Sequence, residues 1–266
     1  MKPAYRRLVS PFLLCAAFRF SLLLPPQTQD NTARISQLVA EADICTEKNF
    51  DYEKALAKYQ EALSLDSTNY ETLWKISRSY VLIGEQLPAL TDEQKERQLQ
   101  TYEEAASFAN RGIALNPNGA MGYVQRAAAN SLVARFKNIW KSSSLMNDVK
   151  EDCEKAIELD SRNAAADHLL GRAHFKLSER TKLFRWPFGV GWGNRDDAIQ
   201  YFEKAIAIQP NYITYRIDAA RAYVDNKDYE KAREHLSVIS TLPTLSKDDD
   251  RLRKDASDLF EQIKNK

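Results

Sequence analysis

Residues 195–212 read RDDAIQYFEKAIAIQPNY, and this stretch indicates the architecture of the whole chain. Ala198, Phe202 and Ala205 are spaced four and three residues apart, which places them on one face of a helix. The two alanines on that face let a neighbouring helix approach closely. Pro210 follows Ala205 by five residues, and because proline cannot continue a helix, the stretch predicts a packed helix that ends in a turn.

The same pattern occurs three more times along the chain. Tyr52 begins YEKALAKYQEALSLDSTN, Tyr102 begins YEEAASFANRGIALNPNG, and Val149 begins VKEDCEKAIELDSRN. Other stretches fit a partner helix for each of these, because they place a large residue, a small residue and an aromatic residue at helical spacing. The clearest examples are residues 73–80, which read LWKISRSY, and the Leu170-Gly171 step. Paired helices of this kind are typical of tetratricopeptide repeats.

The spacing of the repeats is irregular. Equivalent small residues lie 50, 44 and 49 residues apart, and they are Ala62, Gly112, Ala156 and Ala205. A standard repeat has about 34 residues, so we expect insertions between the two helices of a pair. The candidate insertions are residues 86–100, which we expect to lengthen a helix, residues 137–147, and residues 178–194.

These observations predict an all-α, tetratricopeptide-type α-α superhelix with about five helix pairs, inter-helix insertions and a C-terminal capping helix over residues 246–263. A capping box between Ser246 and Asp249 would begin that last helix. The solenoid is expected to form one domain over residues 31–266. Residues 1–30 are expected to be a leader followed by a linker.

The leader prediction rests on charge and hydropathy. Lys2, Arg6 and Arg7 precede an apolar run over residues 8–18, and Cys15-Ala16-Ala17 offers a small-x-small site for a signal peptidase. The pattern favours an exported, periplasmic or membrane-proximal protein, and an arginine-rich start without acids also fits mitochondrial import. Whether the leader is cleaved stays open at this stage.

Composition excludes several functional classes. Beyond residue 30 the chain has 34 basic and 36 acidic side chains, a formal charge of −2. A nearly neutral domain has no general electrostatic attraction to nucleic acid. The cysteines lack metal-ligand spacing, the three histidines do not converge, and no catalytic arrangement has a recognisable frame. We therefore expect no metal, no cofactor and no enzymatic activity.

Several segments together resemble the regulator of microtubule dynamics family of tetratricopeptide-like proteins. They are LWKISRSY, the charged segment over residues 91–118, EKAIELDSRNAAADHLLGR over residues 154–172, the aromatic insertion, and YFEKAIAIQPNY over residues 201–212. The resemblance covers roughly residues 37–262. It implies an α-solenoid with a protein-binding role, and in animal members an association with microtubules and with mitochondrial or other membranes. It transfers no catalytic residues.

A row of cations is the first candidate site. Arg78, Arg172 and Arg221 occupy the same register position in the second, fourth and fifth repeats, and Ala128 interrupts the row in the third. Such a row could bind an acidic or C-terminal peptide segment, because arginine pairs bidentately with carboxylates. Alternatively, the arginines pair with acids on adjacent helices. Further candidates on these helix faces are Trp74, Lys75, His168 and Lys176.

An aromatic insertion is the second candidate site. Residues 185–193 read RWPFGVGWG, which places Trp186, Phe188 and Trp192 in a glycine-rich segment. Exposed aromatic side chains on a loop are typical of binding hot spots. Alternatively, the segment folds back and plugs the groove of the solenoid.

The favoured function is therefore a non-catalytic scaffold that holds a protein or peptide partner in its concave face. A cytoskeletal or organelle-associated regulator is one alternative, on the family resemblance alone. An exported small-ligand binding protein, with the aromatic insertion closing a pocket, is the other. The sequence fixes neither the partner nor the oligomeric state.

Overall fold

The computed structural model describes residues 26–137 and 139–266, and within these ranges it contains α-helices, short 3-10 turns and no strand. The predicted leader lies in residues 1–25, outside the described residues. None of the described helices is both long enough and apolar enough to cross a membrane. The twelve helices in the described ranges are α1 (Pro26–Glu47), α2 (Tyr52–Leu65), α3 (Tyr70–Gln86), α4 (Asp92–Leu115), α5 (Ala120–Val133), α6 (Ile139–Leu159), α7 (Ala164–Ser178), α8 (Lys182–Arg185), α9 (Arg195–Ile208), α10 (Ile213–Asp225), α11 (Tyr229–Val238) and α12 (Asp249–Ile263).

Eleven of these helices form five pairs and a cap, which confirms the predicted superhelix, and the short α8 lies in the insertion between α7 and α9. The pairs are α1 with α2, α3 with α4, α5 with α6, α7 with α9, and α10 with α11, and α12 covers the last pair. The first helices of successive pairs also contact one another, from α3 through α5, α7 and α10 to α12. They form the inner face of the superhelix.

Side-chain caps fix where several of the helices begin. Asp51, Asn69, Asn163 and Asn194 each accept a hydrogen bond from a backbone N–H of the first helical turn. Such caps satisfy donors that have no partner within the helix, each at a gain of about 1 kcal/mol. Thr91 and Gln94 form a complete capping box at the start of α4, the lengthened helix that the charged insertion predicts.

The small residues of the repeats lie at the helix–helix contacts, as the spacing predicts. Ala198, Phe202 and Ala205 are fully buried, and so are Ala62 and Ala156 in earlier repeats. Cys45 and Cys153 are also buried, as free thiols packed among apolar side chains. The alanines contribute little apolar area themselves, but they let large side chains of the partner helix reach the core.

The structure moves two of the predicted helix boundaries. We expected a linker through Asp30, but α1 already begins at Pro26, and proline is tolerated in the first turn of a helix. The last helix begins at Asp249 rather than Ser246. The Asp249 carboxylate accepts hydrogen bonds from the Ser246 backbone and hydroxyl at 3.0 and 2.7 Å, so these residues form a turn before the helix instead of the expected capping box.

The segment before α12 contacts residues of the first two repeats. The Lys247 backbone N–H lies 3.4 Å from the Tyr52 hydroxyl, and Gln86 Nε2 lies 3.5 Å from Asp248 Oδ2. These contacts join residues more than 160 positions apart. The superhelix is therefore strongly curved, and its inner face surrounds a restricted space.

Candidate functional site

A cavity of about 330 Å³ opens on the inner face between α5, α7 and α10. Four cations line it, namely Arg135, Arg172, Lys176 and Arg221, and we call it the cationic pocket. Its volume lies at the lower end of the range for ligand sites in proteins. Its apolar floor consists of Leu132, Met146, Leu169, Ala173, Phe175 and Phe202.

Asp218 organises the cations of this pocket. Its carboxylate accepts a hydrogen bond from His168 Nε2 at 3.0 Å and lies 3.2 Å from Arg221 Nη1 and 3.8 Å from Arg172 Nε. Burial alone would raise the pKa of Asp218, but His168 and the two arginines lower it overall. Asp218 is therefore ionised at neutral pH and holds Arg172 and Arg221 side by side.

A second acid faces the same space from α3. The Glu85 side chain is solvent-accessible, but protein surrounds it on several sides within the curved inner face. This partial burial raises the pKa of Glu85, while Arg172 and Arg135 act in the opposite direction. The inner face thus carries mixed charge, with cations concentrated at the pocket.

The structure brings together two members of the predicted cation row and not the third. Arg172 and Arg221 line the pocket with Lys176, whereas Arg78 lies beside Glu47, with 3.8 Å between Nη1 and Oε1, and does not line it. Sequence reasoning missed Arg135. It lies in the short 3-10 turn after α5, beyond the repeat register, and there it supplies the charge that Ala128 lacks.

The structure shows in part the alternative in which the arginines pair with acids on adjacent helices. Arg172 and Arg221 contact acids, Arg221 also reaching Asp255 at 3.6 Å, yet about half of each side chain stays exposed. A guanidinium group has five N–H donors, so these contacts leave donors free for a ligand.

Three other candidate residues have internal partners. The Lys75 ammonium group is buried, contacts Asp43 Oδ2 at 2.7 Å and Glu71 Oε1 at 2.8 Å, and lies 5.5 Å from the Trp74 ring centre. His168 is buried against Tyr215 and bonded to Asp218. The structure therefore places Lys75 and His168 within the packed repeats, where they support the inner face rather than being exposed on it.

The aromatic insertion divides into a part that packs against the core and an exposed part. Trp192 donates its Nε1–H to Asn147 at 2.8 Å and meets His174 edge-on, while Phe188 packs against the core beside α6. Trp186 instead is 73% exposed. Among the described residues, the insertion supplies none of the lining of the cationic pocket, so it neither plugs nor closes it.

Arg185 holds this insertion together, and sequence reasoning missed this role as well. Its guanidinium group is buried and donates hydrogen bonds to the backbone carbonyls of Arg180, Val190 and Gly193 at 2.8, 3.2 and 2.9 Å. A lone arginine in an aromatic loop gives no sequence signal for such an arrangement. The three bonds join both ends of the insertion.

Comparison with known proteins identifies relatives over most of the chain. Residues 38–264 match the family described as regulator of microtubule dynamics protein 1-3. Regulator of microtubule dynamics protein 3 of Rattus norvegicus is 27% identical over 199 residues, which cover 70% of this chain and 40% of the relative. Protein 1 of Mus musculus is 25% identical over 238 residues, covering 86% and 75% respectively. The chain thus spans less than half of the rat relative.

Solved structures support the fold. A thermophilic TPR protein of Thermus thermophilus superposes with a TM-score of 0.65 at 15% identity, covering 85% of this chain and 99% of that protein. The Pseudomonas aeruginosa protein pilF gives a TM-score of 0.52 at 12% identity, covering 90% and 93% respectively. At these identities the likeness shows a tetratricopeptide-like fold.

Proposed function

This chain belongs to the regulator of microtubule dynamics family, and we propose that it is a non-catalytic scaffold that binds a segment of a protein partner on its inner face. The observation that carries the proposal is the cationic pocket, where four basic side chains surround an apolar floor. The fold supports the same interpretation, because stacked helical repeats create concave binding surfaces.

The chemistry of the pocket favours a segment with a carboxylate next to an apolar side chain. Guanidinium groups bind carboxylates through two parallel hydrogen bonds, and Asp218 already orients Arg172 and Arg221 for such a contact. An apolar side chain of the partner would cover Leu132 and Leu169 on the floor. An acidic internal segment and a free C-terminus both meet these requirements.

A crosslinked pull-down from the native host tests the proposal. Wild type is compared with Arg172→Gln/Arg221→Gln, which removes both charges while keeping hydrogen-bonding side chains. Arg162→Gln, an exposed arginine on the turn between α6 and α7, is the matched control. Circular dichroism first establishes that all three proteins are equally folded.

We expect the double variant to lose a defined partner that wild type and Arg162→Gln retain. Truncating hydrogen bonds to charged groups removes about 1.5–3 kcal/mol each, so the loss should exceed tenfold in affinity. Retention of the same partners by the double variant would refute a binding role for the pocket.

Regulation of microtubules is the second candidate, and the family match is the observation that favours it. The acidic tails of tubulin are segments of the kind that the pocket would accept, although the formal charge of −2 beyond residue 30 gives no general attraction. Co-sedimentation with polymerised tubulin tests this candidate directly. Sedimentation of wild type but not of Arg172→Gln/Arg221→Gln would support it, and wild type that stays in the supernatant would contradict it.

A further inference from the structure

Three large apolar side chains project from the aromatic insertion into solvent. Leu183 is 84% exposed, Phe184 48% and Trp186 73%, and they follow one another closely around α8. We call these three residues the apolar tip. Isolated exposed apolar residues are common, but adjacent ones of this size on a protruding segment mark a contact surface.

Hydrogen bonds and packing hold the apolar tip in a defined position. Arg185, between Phe184 and Trp186, points inward and bonds three backbone carbonyls of the insertion. C-terminal to the tip in the same insertion, Val190 is buried and Trp192 forms a hydrogen bond with Asn147. The surrounding contacts therefore present the apolar side chains outward on a fixed support.

Cations flank the tip. Between Lys176 and Asn194 the only acidic residue is Glu179, and it pairs with Lys176 at 2.6 Å. Arg180 and Lys182 are exposed, and neither forms an ion pair with a described residue. The Arg180 guanidinium carbon lies 5.4 Å from the centre of the Phe184 ring, so positive charge is adjacent to the apolar surface.

We propose that the apolar tip inserts into the interface of an anionic lipid bilayer, with Arg180 and Lys182 at the headgroups. Tryptophan favours the bilayer interface, leucine and phenylalanine favour the acyl boundary, and flanking cations are attracted to anionic lipids. The charge complementarity selects an anionic bilayer over a neutral one.

The size of the tip favours a bilayer over a protein partner. A stable protein interface buries roughly 800 Å² on each side and needs a matching surface. Three side chains offer only a few hundred Å², and the flanking surface is charged. A bilayer needs no complementary shape and accepts a few inserted side chains. This inference uses residues outside the cationic pocket, so its test is independent of the proposed partner binding.

Vesicle binding by the full chain tests the proposal. The vesicles contain either phosphatidylcholine alone or equal parts of phosphatidylcholine and phosphatidylglycerol. Wild type is compared with Leu183→Ser/Trp186→Ser and with Arg180→Gln/Lys182→Gln. The matched control is Leu90→Ser, which removes an 87% exposed leucine from another loop, next to the acidic start of α4. Residues 1–25 are the same in wild type and in every variant. Differences in vesicle binding among these proteins therefore come from the substituted side chains.

We expect the anionic vesicles to bind wild type and Leu90→Ser equally. The apolar double variant should bind at least tenfold more weakly, and the cation double variant should lose roughly fivefold for each charge removed. Brominated lipids should quench tryptophan emission in wild type and much less in Trp186→Phe.

Equal quenching in Trp186→Phe, or equal vesicle binding by the tip variants and wild type, would overturn the proposal. Self-association that is concentration-dependent in wild type and absent from Leu183→Ser/Trp186→Ser, without vesicle binding, would also overturn it. That result would assign the tip to a contact with a second copy of the chain.

Discussion

Replacing Gly171 with alanine is expected to destabilise the protein, although alanine favours helix over glycine. An added Cβ would lie 2.8 Å from two ring carbons of Phe202 and 3.2 Å from the carbonyl oxygen of Ala198. Phe202 is fully buried, so its ring cannot move away without displacing its neighbours. It also forms part of the floor of the cationic pocket.

Two opposing effects set the change in the free energy of unfolding that Gly171→Ala causes. Overpacking of this kind costs about 1–3 kcal/mol, whereas the gain in helix propensity is about 1 kcal/mol. The net loss is therefore up to about 2 kcal/mol, which corresponds to a fall in Tm of up to roughly 8 °C for a chain of this size.

Gly112→Ala is the matched control, since this glycine is also buried within a helix. Its added Cβ would lie 3.7 Å from the Tyr70 ring and 3.8 Å from Leu73 Cβ, which are ordinary contacts. We expect it to raise the free energy of unfolding by up to about 1 kcal/mol. Thermal melts followed by circular dichroism measure both changes. If Gly171→Ala proved as stable as Gly112→Ala, the argument from close helix approach would be wrong.

Three further predictions concern buried polar groups. Arg185→Met should speed hydrogen exchange of amides in residues 179–194 by at least tenfold, because three carbonyls lose their donor, while exchange elsewhere stays unchanged; protection equal to wild type would contradict the role of Arg185. Burial lowers the pKa of His168 below its unfolded value near 6.5, so the unfolded chain binds the proton first and the free energy of unfolding should fall as pH drops from about 6.5 towards 5. Urea titrations at several pH values should show that the free energy of unfolding falls less with decreasing pH in His168→Gln than in wild type. An identical pH dependence in the two proteins would refute the assignment. Burial raises the pKa of the Cys153 thiol strongly, so a thiol reagent at neutral pH should modify it only after denaturant is added; rapid labelling of the folded protein would count against its buried position.

Much of the fold could be predicted from local sequence patterns. The spacing of Ala198, Phe202 and Ala205 identifies the buried face of one helix, and its recurrence identifies the others. Boundaries were less certain, because Pro26 is compatible with both a linker and the first turn of a helix.

The candidate site was predictable only in part. Arg172 and Arg221 follow the repeat register and Lys176 lies close by on the same face, so their common face could be inferred before their distances were known. Arg135 lies in a short turn after α5, where the register no longer applies, and only the packing of α5 against α7 places it in the pocket. Arg78 obeys the register but lies beside Glu47 and does not line the pocket.

The sequence by itself determined the helical repeats, the residues at their contacts and the sign of the charge on part of the inner face. These properties depend on the 3.6-residue period and on side-chain size, which act over a few turns of one helix. The tertiary structure alone decided the meeting of Tyr52 with Lys247, the inward direction of Arg185 and the exposure of Trp186. Those features depend on how insertions of unequal length and small rotations between repeats accumulate along the chain, and no local pattern encodes that sum.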